Sequence, residues 1–240
     1  MSNTALRSEA LSLGYGTGLV VNEVSVALAA GRITVLIGPN GSGKSTLVKG
    51  LVGLLKPLSG RVLLGGGDDE RDLTGVPPNR AVRFGLGYVP QVANTFVSLT
   101  VRENLLVGAF TKPAQLKMNL EKVLDMFPDL ATGLSKPARS LSGGQRGMLG
   151  LARALMSEPR VILVDEPTAG LSPRYHKVVW EHLRKLSDSG VGVLVVEQNT
   201  RAALERGDHG YILVQGQVGF EGPCADLLGN SSLRDLYIGA

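Results

Sequence analysis

The stretch RITVLIGPNGSGKST, residues 32–46, contains both a predicted strand and a predicted phosphate-binding loop. Its first half is a short run of aliphatic and β-branched residues, which favours a buried strand. Its second half satisfies the pattern G-x-x-x-x-G-K-[ST], in which glycines allow backbone N–H groups to point at phosphate oxygens where a helix begins. The order of strand, glycine-rich loop and helix therefore predicts a P-loop nucleotide site rather than an ordinary glycine-rich turn.

Nine residues form this loop and begin its helix. We expect the Lys44 ammonium to reach the β- and γ-phosphates of a bound nucleotide, and the Ser45 hydroxyl to bind Mg²⁺. The predicted nucleotide contacts are Gly38, Pro39, Asn40, Gly41, Ser42, Gly43, Lys44, Ser45 and Thr46.

Short apolar runs alternate with helical segments along the chain. The helical KSTLVKGLVGLL follows the loop, and the strand-like VILVDEP, the helical RYHKVVWEHLRKL and the strand-like GVLVVE come later. This order predicts an α/β domain with a parallel sheet. Residues 92–159 are mostly helical in pattern. We therefore expect one domain over 1–240, with a core of about 1–91 and 160–240 and a helical subdomain of about 92–159 inserted into it.

Three smaller segments give further expectations. YILVQGQVGFEG, residues 211–222, predicts a hairpin that turns at Gly216. LLGGGDDERDLTG, residues 63–75, predicts a mobile surface loop with a solvated acidic cluster. ADLL and SSLRDLYIGA predict a helical end to the chain.

The stretch VILVDEP, residues 161–167, places two carboxylates at the end of a predicted strand. In such folds the carboxyl ends of the strands face the phosphates, so we expect Asp165 to hold Mg²⁺, directly or through water. Glu166 follows it and can accept a proton from an attacking water, which is the role of a general base. With Lys44 and Ser45, these residues predict hydrolysis of a nucleoside triphosphate.

A second helix start suited to anions is predicted at LSGGQR, residues 141–146. Ser142 is suited to the N-cap position, and the glycines after it leave backbone N–H groups exposed where the helical GLARALM begins. One chain therefore has two predicted phosphate-binding surfaces.

Together and in this order, GPNGSGKST, LSGGQ and VILVDEP resemble the nucleotide-binding subunits of ABC transporters, and the resemblance covers essentially the whole chain. It implies a RecA-like P-loop NTPase core with N-terminal antiparallel strands and an inserted α-helical subdomain. ATP and Mg²⁺ are the implied ligands. The resemblance also implies that two subunits enclose two ATP molecules head to tail. Each γ-phosphate would then be contacted by the opposite subunit through Ser142, Gly143, Gly144 and Gln145.

Two more contacts are implied by the resemblance alone. Tyr15, in LGYG, matches the aromatic residue that stacks on adenine. Gln91, in GYVPQ, looks like the glutamine that joins the Mg²⁺ and water shell when the helical subdomain swings inward.

The chain departs from the family pattern at Gln198, which follows VGVLVVE. Most members have a histidine there that hydrogen-bonds the γ-phosphate, and none of His176, His182 and His209 matches the position. A glutamine amide can donate a hydrogen bond to a phosphate oxygen, but it cannot hold a positive charge or relay a proton. We expect Gln198 to keep the phosphate contact. Because Glu166 is present, we expect hydrolysis that is slow or dependent on a partner rather than absent.

A smaller departure lies in TAGLSP, which ends in Ser172 and Pro173 where the family has aspartate. Ser172 is suited to the N-cap position and Pro173 to the first position of the following helix.

Composition excludes several classes of protein. No apolar run approaches the roughly 18 residues of a membrane span, and the N-terminus lacks a secretory pattern. The single cysteine, Cys224, excludes an internal disulfide and is expected to be inert in a reducing compartment. The net charge is +4, but the basic residues are scattered and aromatic residues make up only 5%, so we expect no nucleic-acid binding.

Several stretches narrow the resemblance to one of the two ATPase subunits of branched-chain amino acid importers. These are VEQNTRAALERGDHGYILVQGQVGFEG, TAGLSP, GLGYVPQVANTFVSLTVRENL and LRDLYIGA. The implied partners are two transmembrane permease subunits, a second ATPase subunit that is identical or a sister, and indirectly a solute-binding protein. Residues 92–105 would contact a permease coupling helix, and the chain would lie peripherally at the cytoplasmic face of the bacterial inner membrane.

Three alternatives stay open. Urea and amide importers use similar subunits. A non-transport ABC ATPase would act on ribosomes or DNA, although the tandem domains, long arms or coiled-coil insert typical of such proteins are not visible. A regulatory clamp would bind ATP without useful chemistry; Gln198 favours it and Glu166 argues against it.

Overall fold

The structure, a computed structural model, describes residues 4–92, 94–230 and 233. Strands and helices alternate through this part of the chain. The strands are β1 (Thr4–Tyr15), β2 (Gly18–Val24), β3 (Ala27–Ala29), β4 (Ile33–Ile37), β5 (Ser59–Leu64), β6 (Arg71–Asp72), β7 (Leu86–Val89), β8 (Val161–Asp165), β9 (Gly192–Val196), β10 (His209–Val214) and β11 (Gln217–Pro223). The helices are α1 (Lys44–Leu51), α2 (Pro78–Ala81), α3 (Val101–Gly108), α4 (Leu116–Met126), α5 (Pro128–Ala131), α6 (Gly143–Leu155), α7 (Pro173–Asp188), α8 (Thr200–Leu204) and α9 (Cys224–Gly229).

The strands form two sheets. One has the order β11-β10-β4-β9-β8-β7, in which all neighbours are parallel except the antiparallel pair of β10 and β11. The other is antiparallel, with the order β2-β1-β5-β6 and with β3 also paired to β1. The predicted α/β fold, with a parallel core and N-terminal antiparallel strands, is confirmed.

The central strands are apolar throughout because both faces of their sheet are covered. Every residue of β4 and of β9 is buried. Alternate residues of a strand point to opposite faces. Accordingly, Ile33, Val35 and Ile37 pack into one hydrophobic core and Leu36 into the other. This double burial explains why these strands lack the polar alternation of a one-sided sheet.

Between β7 and β8 the named elements of the described residues are helices and 3₁₀ turns, with one isolated bridge between Thr100 and Pro137. Helices α3 and α6 pack on each other. Both begin with a capping box, at Thr100 for α3 and at Ser142 for α6. No helix in the described part of the chain is both long and apolar enough to cross a membrane.

The predicted hairpin is confirmed. Val214 pairs with Gln217, and the two turn residues, Gln215 and Gly216, have φ angles of 48° and 79°. Two positive φ angles are typical of the tight turns that join antiparallel strands. At the end of the chain, ADLL lies in α9, whereas most of SSLRDLYIGA lies outside the described residues.

The prediction of a loop over residues 63–75 was wrong in part. Residues Arg71–Asp72 form the edge strand β6, which pairs with β5. The acidic cluster is also tied to distant residues, because Glu70 forms an ion pair with Arg7 and Asp69 forms one with Arg160. These arginines are far away in the sequence, so a local pattern could not predict the pairs.

Candidate nucleotide-binding and hydrolysis site

The P-loop connects the end of β4 to the start of α1. At Gly38, φ is 147° and a Cβ atom would lie 2.2 Å from the Leu213 carbonyl oxygen, so only glycine fits. Gly43 caps α1 in a left-handed conformation, and no side chain caps the helix. The first N–H groups of α1 therefore lack a side-chain acceptor, which suits a bound anion.

Lys44 is a buried cation in this loop, with only 7% of its surface exposed. Its Nζ atom donates to the carbonyl oxygens of Gly38, at 2.8 Å, and Pro39, at 2.9 Å. Burial lowers the pKa of the ammonium, and the nearby carboxylates of Glu166 and Asp165 partly oppose that shift. The positive charge of Lys44 is thus stabilised at the loop by two backbone carbonyl groups and by two nearby carboxylates.

The tip of the β10–β11 hairpin supports the P-loop. The Gly216 N–H donates to the Ser42 carbonyl oxygen at 3.0 Å. The Ser42 hydroxyl is buried and has no hydrogen-bond partner among the described residues. Sequence reasoning predicted the hairpin and the loop separately but missed this contact, because the two residues are far apart in the chain.

Asp165 lies at the end of β8 with an unsatisfied oxygen. Its Oδ1 atom is buried and has no hydrogen-bond partner in the described chain. Burial, and then the proximity of Glu166, raises the pKa of this carboxyl group. A divalent cation would satisfy the buried oxygen and offset the cost of burying its charge.

The residues present fit Mg²⁺ bound together with a nucleotide. Residues 4–92, 94–230 and 233 contain no cluster of three or more His, Cys, Asp or Glu side chains that could hold a metal ion by itself. A nucleotide would therefore have to supply part of the coordination. Mg²⁺ at phosphate sites usually takes one or two carboxylates and completes its shell with water and phosphate oxygens. Asp165 supplies such a carboxylate, whereas Ser45 is exposed at the start of α1.

Glu166, Gln91 and Gln198 are brought together by the structure. Gln198 Nε2 lies 2.8 Å from Glu166 Oε1 and 2.7 Å from Oε2, and Gln91 Nε2 also donates to Oε2. Glu166 has a φ of 47°, a left-handed conformation that non-glycine residues seldom adopt and that is often found at functional sites. The two glutamines, predicted to contact phosphate and the metal shell, here both contact the predicted base.

Of the three polar residues that follow β9, only Gln198 faces this carboxylate. Asn199 caps α8, since its Oδ1 accepts from the Ala202 N–H at 3.1 Å. Glu197 is 3% exposed and accepts from the Thr168 hydroxyl at 2.7 Å and the Thr168 N–H at 3.2 Å. These two hydrogen bonds therefore connect the end of β9 to the loop that follows Glu166.

Sequence reasoning missed this role of Glu197. Burial raises the pKa of its carboxyl group, although hydrogen bonds from Thr168 oppose the shift. The sequence signal that could have indicated this role is a single acidic residue directly after an entirely apolar strand.

The second predicted phosphate-binding surface has a different construction. Ser142 is the N-cap of α6, as predicted, and the Gln145 N–H donates to the Ser142 hydroxyl at 3.3 Å. In return, the Ser142 N–H donates to Gln145 Oε1 at 2.9 Å. Gly144 packs against Tyr175, whose ring would lie 2.4 Å from a Cβ atom. Tyr175 was not predicted to have a role here.

The start of α6, the second predicted phosphate-binding surface, lines a cleft that does not include the P-loop. A cleft of about 300 Å³ is lined by Gln91, Glu166, Gly143 and Arg146, among others. None of the nine P-loop residues lines it. In one subunit, the start of α6 is therefore associated with the predicted base rather than with the P-loop.

The two remaining predictions concern single residues. Tyr15, at the end of β1, is 51% exposed and has Lys49 Nζ at 5.9 Å from its ring centroid, so its ring is accessible for stacking. Ser172 occupies the N-cap of α7 with Pro173 at the first helical position, as expected, but its side chain makes no capping hydrogen bond.

Comparison with known proteins places this geometry in a family. The family described as ABC transporter matches residues 21–169. The chain is 39% identical to the probable branched-chain amino acid transport ATP-binding protein LivF of Archaeoglobus fulgidus, over 98% of each chain. It is 37% identical to the high-affinity branched-chain amino acid transport ATP-binding protein BraG of Pseudomonas aeruginosa, over 98% of this chain and 99% of BraG. It is also 34% identical to the lipopolysaccharide export system ATP-binding protein LptB of Acidithiobacillus ferridurans, over 98% and 96%.

Solved structures of ATP-binding cassettes are also similar to this chain. MJ1267, an ATP-binding cassette of an ABC transporter in its ADP conformation, is 30% identical, with a TM-score of 0.87 over 99% of both chains. The ATP-binding cassette MJ0796, solved as a dimer with ADP and phosphate, is 25% identical, with a TM-score of 0.77 over 91% of this chain and 98% of that chain. Proteins of this family work as dimers with transmembrane permease components. The family match covers more than half of the chain, and relatives above 30% identity span nearly all of it; the protein therefore belongs to the ABC transporter family, as an ATP-binding subunit with ATPase activity.

Proposed function

We propose that this chain hydrolyses ATP to drive the uptake of branched-chain amino acids through partner permeases. The observation that supports this best is its identity of 39% and 37% to two ATP-binding proteins named for branched-chain amino acid transport. A second candidate is lipopolysaccharide export, favoured by the 34% identity to LptB. The higher identity favours import.

In the proposed mechanism, ATP binds with its phosphates at residues 38–46 and its adenine on Tyr15. The Lys44 ammonium exchanges the carbonyl oxygens of Gly38 and Pro39 for phosphate oxygens, which are stronger acceptors because they are charged. Ser142, Gly143, Gly144 and Gln145 of a second subunit complete the site at the γ-phosphate. This subunit is a second copy or a sister ATPase.

Ser45, Asp165 and Gln91 are proposed to hold Mg²⁺. The buried, unpartnered Oδ1 atom of Asp165 supports this assignment. When bound, the ion would supply positive charge beside the phosphate groups.

Glu166 is proposed to accept the proton of the attacking water. In the free chain its carboxylate already receives hydrogen bonds from Gln91 and Gln198, which compete with the water for the same oxygens. ATP binding would move the Gln198 amide from this carboxylate to a γ-phosphate oxygen. Hydrolysis would then require both that exchange and closure of the dimer. This requirement is consistent with the slow or partner-dependent rate that we expect.

We further propose that residues 92–159 act as a helical subdomain that couples this site to the permease. Residues 92–105 would form the contact with a permease coupling helix. Val92, Phe96 and Val97 are large apolar residues that lie exposed there, at 73%, 47% and 53%. The chain would work peripherally at the cytoplasmic face of the bacterial inner membrane, with a solute-binding protein as an indirect partner.

The test is transport in proteoliposomes that contain this chain, its permease pair and any sister ATPase. We expect ATP-dependent accumulation of labelled leucine that unlabelled isoleucine and valine suppress. Glu166→Gln is the blank, because it keeps the shape of the side chain and removes the base.

The outcomes separate the candidates. Uptake of urea or an amide but not of leucine would keep the import mechanism and change the substrate. ATP-dependent release of lipopolysaccharide would favour the second candidate. Wild-type hydrolysis equal to the blank at every protein concentration, with or without permeases, would leave only the ATP-binding clamp.

A further inference from the structure

A pocket lies between the two sheets, at the end of β4 that is opposite the P-loop. It has a volume of about 370 Å³ and is lined by β3, by residues 32 and 34 and by the start of β10. Pockets of this size are suited to small ligands. Its lining includes none of residues 38–46, so the pocket is separate from the predicted nucleotide contacts.

A buried threonine lines this pocket. Thr34 is 1% exposed and is the only polar residue of β4, whose sequence is ITVLI. On the same face of the strand, Leu36 packs into a hydrophobic core, whereas Thr34 faces the pocket. Its hydroxyl makes no hydrogen bond within the described residues. Because a buried polar group without a partner is unfavourable, a ligand that hydrogen-bonds this hydroxyl would stabilise it.

The charged groups beside the pocket carry one positive charge in excess. Asp208 accepts hydrogen bonds from the Ile33 N–H, at 2.7 Å, and from Arg184 Nη1, at 2.9 Å. Burial alone would raise the pKa of Asp208, but these hydrogen bonds lower it below its ordinary value. Arg184 therefore already balances the single charge of Asp208. Arg32 is 65% exposed, with Nη1 at 3.7 Å from Asp208 Oδ1, and has no second carboxylate partner in the described chain.

His209 and Tyr211 form the wall that β10 contributes to the pocket. They lie on the same face of the strand, and His209 pairs in register with Thr34. The His209 ring meets the Tyr211 ring edge-on, with 5.1 Å between centroids, and its nitrogens make no hydrogen bond to any described residue. The Tyr211 hydroxyl accepts from the Ala27 N–H at 3.0 Å and donates to the Ala27 carbonyl oxygen at 3.4 Å. These two bonds hold β3 against β10, so the pocket is preformed.

We propose that this pocket binds a small monocarboxylate with a short aliphatic chain. The carboxylate would pair with the Arg32 guanidinium through two hydrogen bonds and accept a third from the Thr34 hydroxyl. The aliphatic chain would pack on the Tyr211 ring and on the side chains of Ala27 and Ala29. A single negative charge balances the excess charge of Arg32, whereas a zwitterion leaves that excess unchanged. The site requires neither bound nucleotide nor the proposed transport function.

The experiment is an NMR titration of the full-length, nucleotide-free chain with isovalerate at constant ionic strength. We expect saturable binding with a dissociation constant in the millimolar range or below, and shifts of the amide signals of residues 27–34 and 208–211. Isovaleramide has nearly the same shape without the charge and should bind at least about tenfold more weakly. Valine has the same carbon chain with an added ammonium group and should also bind more weakly.

Four variants test the assigned residues. Arg32→Gln should bind isovalerate at least about tenfold more weakly, because it loses a charge-assisted pair, and Arg32→Lys should fall between it and the wild type. Thr34→Val should bind about threefold to tenfold more weakly. Its melting temperature should equal or exceed that of the wild type, because the hydroxyl makes no hydrogen bond in the described chain. Arg174→Gln, at an exposed arginine at the start of α7, is the matched control and should bind like the wild type.

Several results would contradict the proposal. Absence of saturation by isovalerate, or equal binding of its amide, would show that the pocket does not recognise a carboxylate. Wild-type affinity in both Arg32→Gln and Thr34→Val would place the binding elsewhere, and loss of binding in Lys44→Ala would place it at the P-loop. Equal weakening by Arg174→Gln would indicate general charge attraction. Tighter binding of valine than of isovalerate would show that the charge balance assigned to Arg32 is wrong.

Discussion

The P-loop and the second predicted phosphate-binding surface, at residues 141–146, begin helices in opposite ways. At the P-loop, α1 has no side-chain cap, and Lys44 is buried beside the helix start. At the start of α6, Ser142 and Gln145 satisfy each other through a capping box. The first loop leaves donors and a cation available for a ligand, whereas the second already uses two backbone N–H groups, those of Ser142 and Gln145, in internal hydrogen bonds. In the proposed mechanism, a single subunit would therefore hold nucleotide at the P-loop, while the second loop would exchange internal contacts for contacts with another subunit's nucleotide.

The contacts that hold each loop in place also differ. The P-loop is fixed by backbone, through the Gly216 N–H and the close approach of Leu213. The start of α6 is held by side chains: Tyr175 packs on Gly144, and the Arg146 guanidinium donates to a backbone carbonyl oxygen of the loop at 2.6 Å. Side chains can change rotamer more easily than backbone can move, so we expect the second loop to be the adjustable one. The following predictions test this difference.

The largest effect is expected from Lys44→Ala. Removing the only buried cation of the P-loop should lower hydrolysis by about 10²–10³-fold or more and weaken ATP binding to the monomer. The melting temperature of the nucleotide-free protein should not fall, because burial already disfavours this ammonium. Calorimetric titration with ATP and thermal melting measure the two parts. Normal ATP affinity in the variant would show that the P-loop needs no cation of its own.

Gly144→Ala should separate the two loops. The new methyl group would lie 2.4 Å from the Tyr175 ring, and overpacking of this kind typically costs about 1–3 kcal/mol of stability. Monomer ATP affinity should stay normal, whereas ATP-dependent dimerisation and hydrolysis should decrease. Light scattering with ATP and the Glu166→Gln background, which blocks turnover, measures dimerisation.

Gly147→Ala is the matched control for the same helix. A Cβ atom at Gly147 meets nothing within 4 Å, so alanine should stabilise α6 by about 0.5–1 kcal/mol. Normal dimerisation in both variants would mean that Tyr175 does not position the second loop.

Gln198→His should add a pH dependence that the wild type lacks. An imidazole titrates near pH 6.5, so the ratio of variant to wild-type hydrolysis should rise as the pH falls through that region, by up to about tenfold. Gln198→Ala, which loses the amide and cannot titrate, is the control. Parallel pH profiles for the histidine and alanine variants would contradict a phosphate contact at this position.

Sequence patterns were sufficient for features whose cause is local. The P-loop, the N-caps at Ser142 and Ser172 and the hairpin at Gly216 follow from spacing and residue type over a few positions. The parallel sheet follows from the alternation of apolar and helical segments. These features needed no knowledge of distant contacts.

Contacts between distant segments could not be predicted in this way. No local pattern shows that Glu197 binds Thr168, or that the Gln198 amide lies on the Glu166 carboxylate. The same limitation applies to Arg153 in α6, whose buried Nη1 atom has no hydrogen-bond partner among the described residues. The sequence therefore predicts strands, helix starts and turns better than it predicts the side-chain contacts between distant segments.

A smaller effect is expected from a pair of serines, one in each loop. Ser142→Ala removes the N-cap of α6 and should lower the free energy of unfolding by about 1 kcal/mol. Ser42→Ala removes a buried hydroxyl that makes no hydrogen bond, so stability should stay the same or rise. Urea denaturation of both variants without nucleotide measures the difference. Equal destabilisation would contradict the contrast between a self-satisfied loop and an open one.

The smallest effect concerns Glu197, which hydrogen-bonds Thr168 in the loop after Glu166. Burial raises the pKa of Glu197 above its ordinary 4.5, so the folded chain holds this proton more tightly than the unfolded chain does. Stability from this group is therefore present below pH 4.5 and is lost as the pH rises through the folded pKa. Glutamine does not titrate. The melting temperature of Glu197→Gln relative to the wild type should thus increase over that window and then stay constant.

Glu158→Gln provides the control of opposite sign. Hydrogen bonds from Lys122 and then Lys112 lower the pKa of Glu158 despite its partial burial. Its contribution is therefore present above the unfolded value and lost as the pH falls, so Glu158→Gln should be less stable than the wild type at neutral pH and equal to it in acid. Melting curves from pH 4 to pH 8 compare the three proteins. The melting temperatures of Glu197→Gln and of the wild type could instead change equally with pH. In that case the ionised Glu197 carboxylate does not destabilise the fold, and the fixed geometry after Glu166 has another origin.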